Sequence, residues 1–346
     1  MQASEAPSLS SSTITALDVA REAGVSQSAV SRAFTPGASV SEKTRTRVLA
    51  AAEKLGYRPN PLARSLMHGR SGIVGVGVGN MENPFFVRTL ELLATALDAA
   101  GLRLMLFPAT RDHDAEPSLQ EVLHYRIDAL VLLSVNLSSN LADQCRKARV
   151  PVIHFNRTSA DAGTSSIIGD NAAGARTIAA HLLAGGHRAM AYMAGTPDSS
   201  TNRQREEAFT DALLSAGLPV PIIEQGHFTH EGAMAATRRL LLRADRPDAL
   251  FCANDTMALA AISVARHELG LDVGREISIV GYDDVPMAAW PGFALTTFSQ
   301  PCEGMVARTV EMIEALRREP ESHARHVAQG ALVVRSSTRP VVARPR

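Results

Sequence analysis

Three short runs between Thr15 and Leu55 place apolar residues at helical spacing, and each is opened by a capping residue. Leu17–Ala23 follows Thr15, with Asp18 three positions on, which predicts a capping box. Gly24 closes that run, since glycine enters the left-handed C-cap without a Cβ penalty. Ser26 opens a second helix, Gln27 to Phe34, whose polar face offers Gln27, Ser28, Ser31 and Arg32. Ser41 heads a third, carrying Val48, Leu49, Ala52 and Leu55 and stopped by Gly56. Two short helices about a glycine turn, buttressed by a third, predict a helix-turn-helix over 14–59.

Asn60-Pro61 then reads as a further helix start, with an asparagine cap and a proline where the missing N–H costs nothing. Pro61–Met67 is about two turns long and unstable alone. Leu62, Ala63 and Leu66 share one face, flanked by Arg58, Arg64 and Arg70, a pattern suited to wedging open a minor groove. Gly69, Ser71 and Gly72 complete a flexible hinge over 60–71.

From Ile73 the pattern changes. Strand-like runs Ile73–Gly79, Leu102–Phe107, Ala129–Leu133 and Val152–Phe155 alternate with helical stretches such as Phe85–Ala100 and Leu119–His124. A second series follows: Ala189–Ala194, Ile222–Ile223, Ala249–Cys252 and Ile277–Gly281, with helices near 172–184, 203–216, 232–243 and 256–269. Continuous Val/Ile/Leu runs between helices imply parallel strands buried on both faces, hence two doubly wound α/β lobes over 72–338.

At 346 residues with 45% hydrophobic content, two or three units are expected. The net charge of zero hides an asymmetry: residues 1–72 hold nine Lys/Arg against five Asp/Glu, the remainder 26 against 30. A basic head on an acidic body suits phosphate contact by the head. Three widely spaced cysteines (Cys145, Cys252, Cys302) without redox or metal spacing point to a reduced, cytoplasmic protein. Residues 1–13 read as a disordered N-terminus without a signal sequence, and no apolar run reaches the roughly 18–20 residues that span a bilayer.

The runs DVAREAGVSQSAVSRAF and VSEKTRTRVLAAAEKLGYRPNPLARSL closely resemble the head of the lactose-repressor/galactose-repressor family of bacterial regulators. NPFF at 83–86, ANDTMALAA at 253–261 and GYDD at 281–284 extend the resemblance to about Thr338. It implies a periplasmic-binding-protein-like body of type I, whose lobes exchange strands near Ser165–Gly169 and Leu295–Ser299. The first lobe would be roughly 72–165 plus part of 300–328. It also implies a homodimer on near-palindromic operator DNA, with association of the protein with the nucleoid, and a small effector (sugar, polyol or sugar acid) between the lobes. Repression of catabolic genes is the expected outcome, with corepression by the ligand as the alternative within the class. A solute-binding protein is the alternative outside it.

Leu17, Ser26, Gln27, Ser28, Ser31, Arg32, Ser41, Thr44, Asn60, Ala63 and Leu66 are expected to meet DNA. Arg32 suits bidentate contact with guanine, and Leu66 is the wedge that the resemblance implies. Phe85, Phe86, Asn156, Arg157, Arg203, Asn254, Asp283 and Gln300 are expected at the effector site. Phe85 and Phe86 stack on a sugar-like ring or pack the first body helix. Asn254 and Asp255 equally suit helix capping. Arg203, Asn254 and Asp283 are the anchors implied by the resemblance, and Arg157 would favour an acidic sugar.

Catalytic readings fail: Gly75, Gly77 and Gly79 are followed by Asn80 and Glu82 where a dinucleotide loop needs glycine. No cofactor, metal or enzymatic activity is expected. The tail 339–346 carries no leucine heptad, so assembly is expected to stop at a dimer. Leu90, Leu93 and Leu97 either pair across its two-fold axis or face their own sheet.

Overall fold

The computed structural model describes residues 14–35, 37–58, 70–108, 123–135, 138–159, 161 and 163–340, which divide into two compact units, the first ending in sequence at Ser71 and the second beginning at Gly72. The hinge helix, with Asn60, Ala63 and Leu66, lies outside the described residues, as does most of Leu119–His124.

Among its described residues the first unit has three helices: α1 (Ala16–Ala23), α2 (Gln27–Ala33) and α3 (Glu42–Leu55). The capping signals hold in detail. The Thr15 side chain accepts from Asp18 N–H while Asp18 accepts from Thr15 N–H, a complete capping box. Ser26 and Ser41 accept from Ala29 and Thr44 N–H. Gly24 is left-handed at φ 59. Val19, Ala20, Ala23, Val30, Ala33, Val48, Ala51 and Ala52 form a small core. Side chains this small bury little area, and polar ties supplement them. Arg45 donates to Ala33 O at 2.6 Å and to Ala38 O, and Arg47 donates to Ala23 O. Lys54 pairs with Glu22 at 2.7 Å. The carbonyls at the ends of α1 and α2, orphaned by helix termination, are thus capped by cations from α3.

The second unit holds two sheets. Lobe 1 is built on β1 (Ile73–Val78), α4 (Pro84–Ala99), β2 (Arg103–Pro108), β3 (Ala129–Leu133), α5 (Ser139–Lys147), β4 (Val152–Phe155) and β5 (Ser165–Gly169). Lobe 2 follows with α6 (Asn171–Ala184), β6 (Met190–Ala194), α7 (Ser200–Ser215), β7 (Ile222–Gln225), α8 (His230–Leu241), β8 (Ala249–Cys252), α9 (Asp255–Ser263), β9 (Ser278–Asp283) and β10 (Thr296–Ser299). The chain then returns: α10 (Cys302–Arg318) packs on α4, and β11 (Arg325–Ala328) joins the first sheet before β12 (Ala331–Val333) joins the second.

The first sheet runs β11-β5-β4-β3-β1-β2, all parallel; the second runs β12-β10-β9-β8-β6-β7, with β12 alone antiparallel. The path crosses between lobes after β5, after β10 and after β11. Leu93 and Leu97 are fully buried and Leu90 packs on the same core. Of the two alternatives for these leucines, the fold takes the intramolecular one, because helix α4 must cover its own sheet.

Candidate effector cleft and DNA-reading face

In the first unit α2 presents Gln27, Ser28 and Arg32 exposed, with Ser31 half-buried. Its inner residues Ala29, Val30 and Ala33 are locked in the core, so the helix offers a fixed polar face. Ser26 Oγ lies 2.9 Å from Ser28 Oγ and Ser41 Oγ 2.8 Å from Thr44 Oγ1, hydroxyls gathered at the N-termini of α2 and α3. Leu17 stands 53% exposed on α1. With Arg45, Arg47 and Lys54 committed internally, part of the head's positive charge is structural.

In the second unit, polar side chains gather where the strands of lobe 2 end. Asp283 closes β9 at φ 124, a backbone region that costs of order 1–3 kcal/mol for a residue with a side chain. It is 6% exposed. Its Oδ1 accepts from Gln300 Nε2 at 2.7 Å and its Oδ2 from Asn83 Nδ2 at 3.3 Å. Burial pushes its carboxyl up to about 6, against the lowering pull of Arg205 and these amides. Asp255 lies behind it, fully buried, bonded to Thr297 Oγ1 at 2.6 Å and Val285 N–H at 2.8 Å. Asn254, also buried, caps α9 through Met257 N–H, so the capping alternative is realised.

The arginine at this centre is Arg205, not Arg203. Helix α7 begins at Ser200, three residues earlier than the sequence pattern indicates, and at 100° per residue positions 203 and 205 face opposite ways. Arg203 is exposed and donates to Pro197 O at 3.1 Å. Arg205 is 2% exposed. Its Nε donates to Asn171 Oδ1 at 2.9 Å, Nη1 donates to Ala253 O, and Cζ stands 3.5 Å above the Tyr282 ring. Its Nη2 is buried with no hydrogen-bond partner among the described residues.

Lobe 1 supplies the facing residues. Asn156 ends β4 at φ 60 with its Oδ1 unpartnered among the described residues. Arg157 is buried and reaches Asp198 of lobe 2 at 3.6 Å, which neutralises the cation that would favour an acidic ligand. Thr158 N–H donates to Ser200 Oγ at 3.1 Å across the same rim. Phe85 and Phe86 are each 4% exposed and pack edge to face at 5.3 Å in the lobe-1 core, so the packing alternative is realised. Sequence reasoning also passed over Phe228, half-buried at φ 56 just after β7. Its ring lies against Gly195 at the end of β6, where any Cβ would collide with it.

Away from this cleft, His187 Nε2 lies 2.7 Å from Ser278 Oγ and His187 Nδ1 lies 3.3 Å from Asp248. The trio has the composition of a nucleophilic triad, but Ser278 is fully buried at the amino end of β9 and its hydroxyl accepts from Arg339 N–H at 2.9 Å. It ties residues near the C-terminus to lobe 2. Among the described residues no helix is long and apolar enough to cross a membrane.

A three-helix DNA reader joined to a two-lobed ligand-binding body defines a transcriptional repressor controlled through its body. The chain belongs to the lacI family of bacterial regulatory proteins, whose family profile matches residues 15–60, while a periplasmic binding protein-like domain profile matches 179–338. It is 31% identical over 333 residues to the HTH-type transcriptional repressor PurR of Photobacterium profundum, covering 93% of this chain and 98% of that one. The PurR repressor of Aliivibrio salmonicida is 32% identical over 311 residues, 88% of this chain and 92% of the other. The lac repressor dimer bound to operator and the anti-inducer ONPF superimposes with a TM-score of 0.84 at 28% identity, covering 94% and 99% of the two chains. The CelR–cellobiose complex does so at 0.71 and 30% identity, with the same coverage. These relatives are transcriptional regulators.

Proposed function

We propose that this chain is a homodimeric, cytoplasmic repressor of catabolic genes, released from a near-palindromic operator by a neutral, hydroxyl-rich effector, and that it catalyses no reaction. The observation that carries the effector class is the charge balance in the cleft. Arg157 is matched by Asp198, and Arg205 faces Asp283 with Asp255 behind. An anion would meet Arg157 and Arg205 with carboxylates already beside them; Arg203, near Arg157 and bonded to Pro197 O, has no carboxylate partner among the described residues. A hydroxyl, by contrast, both donates to Asp283 and accepts from Arg205. Arg205, Asn254 and Asp283 serve as anchors in this reading, with Asn156, Gln300 and Phe228 around them. The DNA contacts fall to Gln27, Ser28, Ser31 and Arg32 at base edges and to Leu17, Ser26, Ser41 and Thr44 alongside. Asn60, Ala63 and Leu66 form the minor-groove wedge, giving the body a segment to make or melt. The buried Ser278–His187–Asp248 trio, closed by Arg339, supports the non-enzymatic reading.

Thermal shift of the purified chain against neutral sugars and polyols, each paired with its own acid, tests the effector class. Stabilisation by neutral members, lost in Arg205→Ala, is expected. Stabilisation by the acids alone overturns it. Hits that release the protein from an operator selected from a random library identify inducers; hits that tighten it identify corepressors.

A further inference from the structure

Asn83 is buried at the N-terminus of α4, and its carboxamide is used at both ends. Its Oδ1 accepts from Phe85 N–H at 3.0 Å and caps the helix within lobe 1. Its Nδ2 donates across the cleft to Asp283 Oδ2 at 3.3 Å, in lobe 2. The second oxygen of Asp283 is held by Gln300, which lies at the return crossover. Both oxygens of the carboxylate are therefore engaged by the chain itself, one of them by the opposite lobe. Asp283 also keeps a backbone conformation, φ 124, that persists only where the surroundings over-determine it.

We infer that the Asn83–Asp283 hydrogen bond is an inter-lobe latch, opened when an effector supplies its own hydroxyl or N–H donor to Asp283. The inference rests on the reading of the cleft as the effector site and adds how occupancy is sensed. An ionised carboxylate offers about four lone-pair sites, but Asp283 is only 6% exposed, so the room around its two engaged oxygens, not the lone-pair count, limits the donors it admits. An entering hydroxyl therefore competes with the Asn83 amide. A ligand carboxylate placed there, bringing acceptors only, has nothing to offer that oxygen and leaves the latch shut. Because the same side chain caps α4, the exchange reaches the first turn of the helix that carries Phe85 and Phe86. Asn83 is a positioning residue here: it acts through Asp283 and α4. The rim bonds Arg157–Asp198 and Thr158–Ser200 involve neither group, so the latch governs its own side of the cleft.

Pulsed electron spin resonance on the effector-free, full-length protein reads the latch directly. Spin labels at Ala94→Cys on α4 and Glu231→Cys on α8 occupy exposed positions on the two lobes, while Cys145, Cys252 and Cys302 are buried. Asn83→Asp preserves a good helix cap but sets carboxylate against carboxylate. Its inter-lobe distance distribution should be longer and broader than that of wild type. The exchange Asn83→Asp/Asp283→Asn only moves donor and acceptor to opposite sides and should restore the wild-type distribution. Asn83→Ser, which caps but is too short to reach Asp283, should resemble Asn83→Asp. An unchanged distribution in both single variants overturns the latch, and so does a lengthening that the exchange fails to reverse. No effector is present in this measurement. A cleft that binds none of the sugars would show itself in the thermal-shift panel and leave the spin-label result untouched.

Discussion

Removing the Asp255 carboxylate should flatten the pH dependence of the body's stability. Asp255 is fully buried; burial first, and then the neighbouring charge of Asp283, push its carboxyl up to about 7. In the unfolded chain the same group titrates near 3.9. The folded pKa lies above the unfolded one, so between about pH 4 and 7 the native protein holds a proton that the unfolded chain has released. Stability must therefore fall as pH rises through that window. At roughly 1.4 kcal/mol per pH unit, the full loss above pH 7 is about 4 kcal/mol. Of this, roughly 2–3 kcal/mol is regained between pH 8 and pH 5. Asp283, pushed up to about 6, acts with the same sign over a narrower range. The chain's single tryptophan, Trp290, sits in lobe 2, so urea unfolding followed by its fluorescence reports the right region. Wild type and Asp255→Asn are compared at pH 5, 6, 7 and 8. The stability of wild type relative to Asp255→Asn should improve by about 2–3 kcal/mol on going from pH 8 to pH 5. Parallel profiles for the two proteins would refute the argument.

Arg205→Ala strips donors from Asn171 and Ala253 and leaves buried carboxylates without their cation; a loss of about 3–5 kcal/mol is expected in the same unfolding assay. Gly281→Ala places a methyl against the Asp255 carboxylate and the Leu295 side chain, and should cost about 1–3 kcal/mol. Arg45→Ala should speed amide exchange in α2 and lower head stability by about 1.5–3 kcal/mol, because Ala33 O and Ala38 O lose a charged donor. Arg32→Ala should weaken binding to a library-selected operator by about 1–3 kcal/mol while leaving affinity for random DNA nearly unchanged; equal losses on both, measured by fluorescence anisotropy, would reduce Arg32 to a phosphate contact.

Local signals were the legible ones. Thr15, Ser26, Ser41 and Gly24 mark helix ends through bonds made within a few residues, and all four perform that role. The continuous apolar strands were equally plain, since burial on both faces leaves little choice of residue. Strands β11 and β12 escaped notice because they are short, half-exposed edge strands whose partners lie far away in sequence. The pattern points to Arg203 where the fold buries Arg205, because a three-residue shift in a helix start turns its face around. The corrective signal was present: Arg205 falls in register with Ala208, Phe209 and Leu213, an arginine on the buried stripe of an otherwise polar helix. Asn83 carried no such mark. An asparagine before proline reads as a cap, and its second bond, to a residue 200 positions away, exists only in the fold.

Three passages between the lobes also set an order of assembly as the chain leaves the ribosome. Lobe 1 starts first yet stays unfinished while lobe 2 is made: β5 lacks its outer neighbour until residues 325–328 emerge, after β6 to β10 of lobe 2. Until then the β5 edge presents unpaired backbone groups, the kind of surface that recruits strands from other chains. Lobe 2 likewise waits for β12 to cover β10. A nascent chain stalled or truncated between residues 300 and 325 would carry two nearly complete sheets, each with an open edge. A truncation there should aggregate, even though it removes no more than about an eighth of the sequence and spares every residue of the proposed effector site.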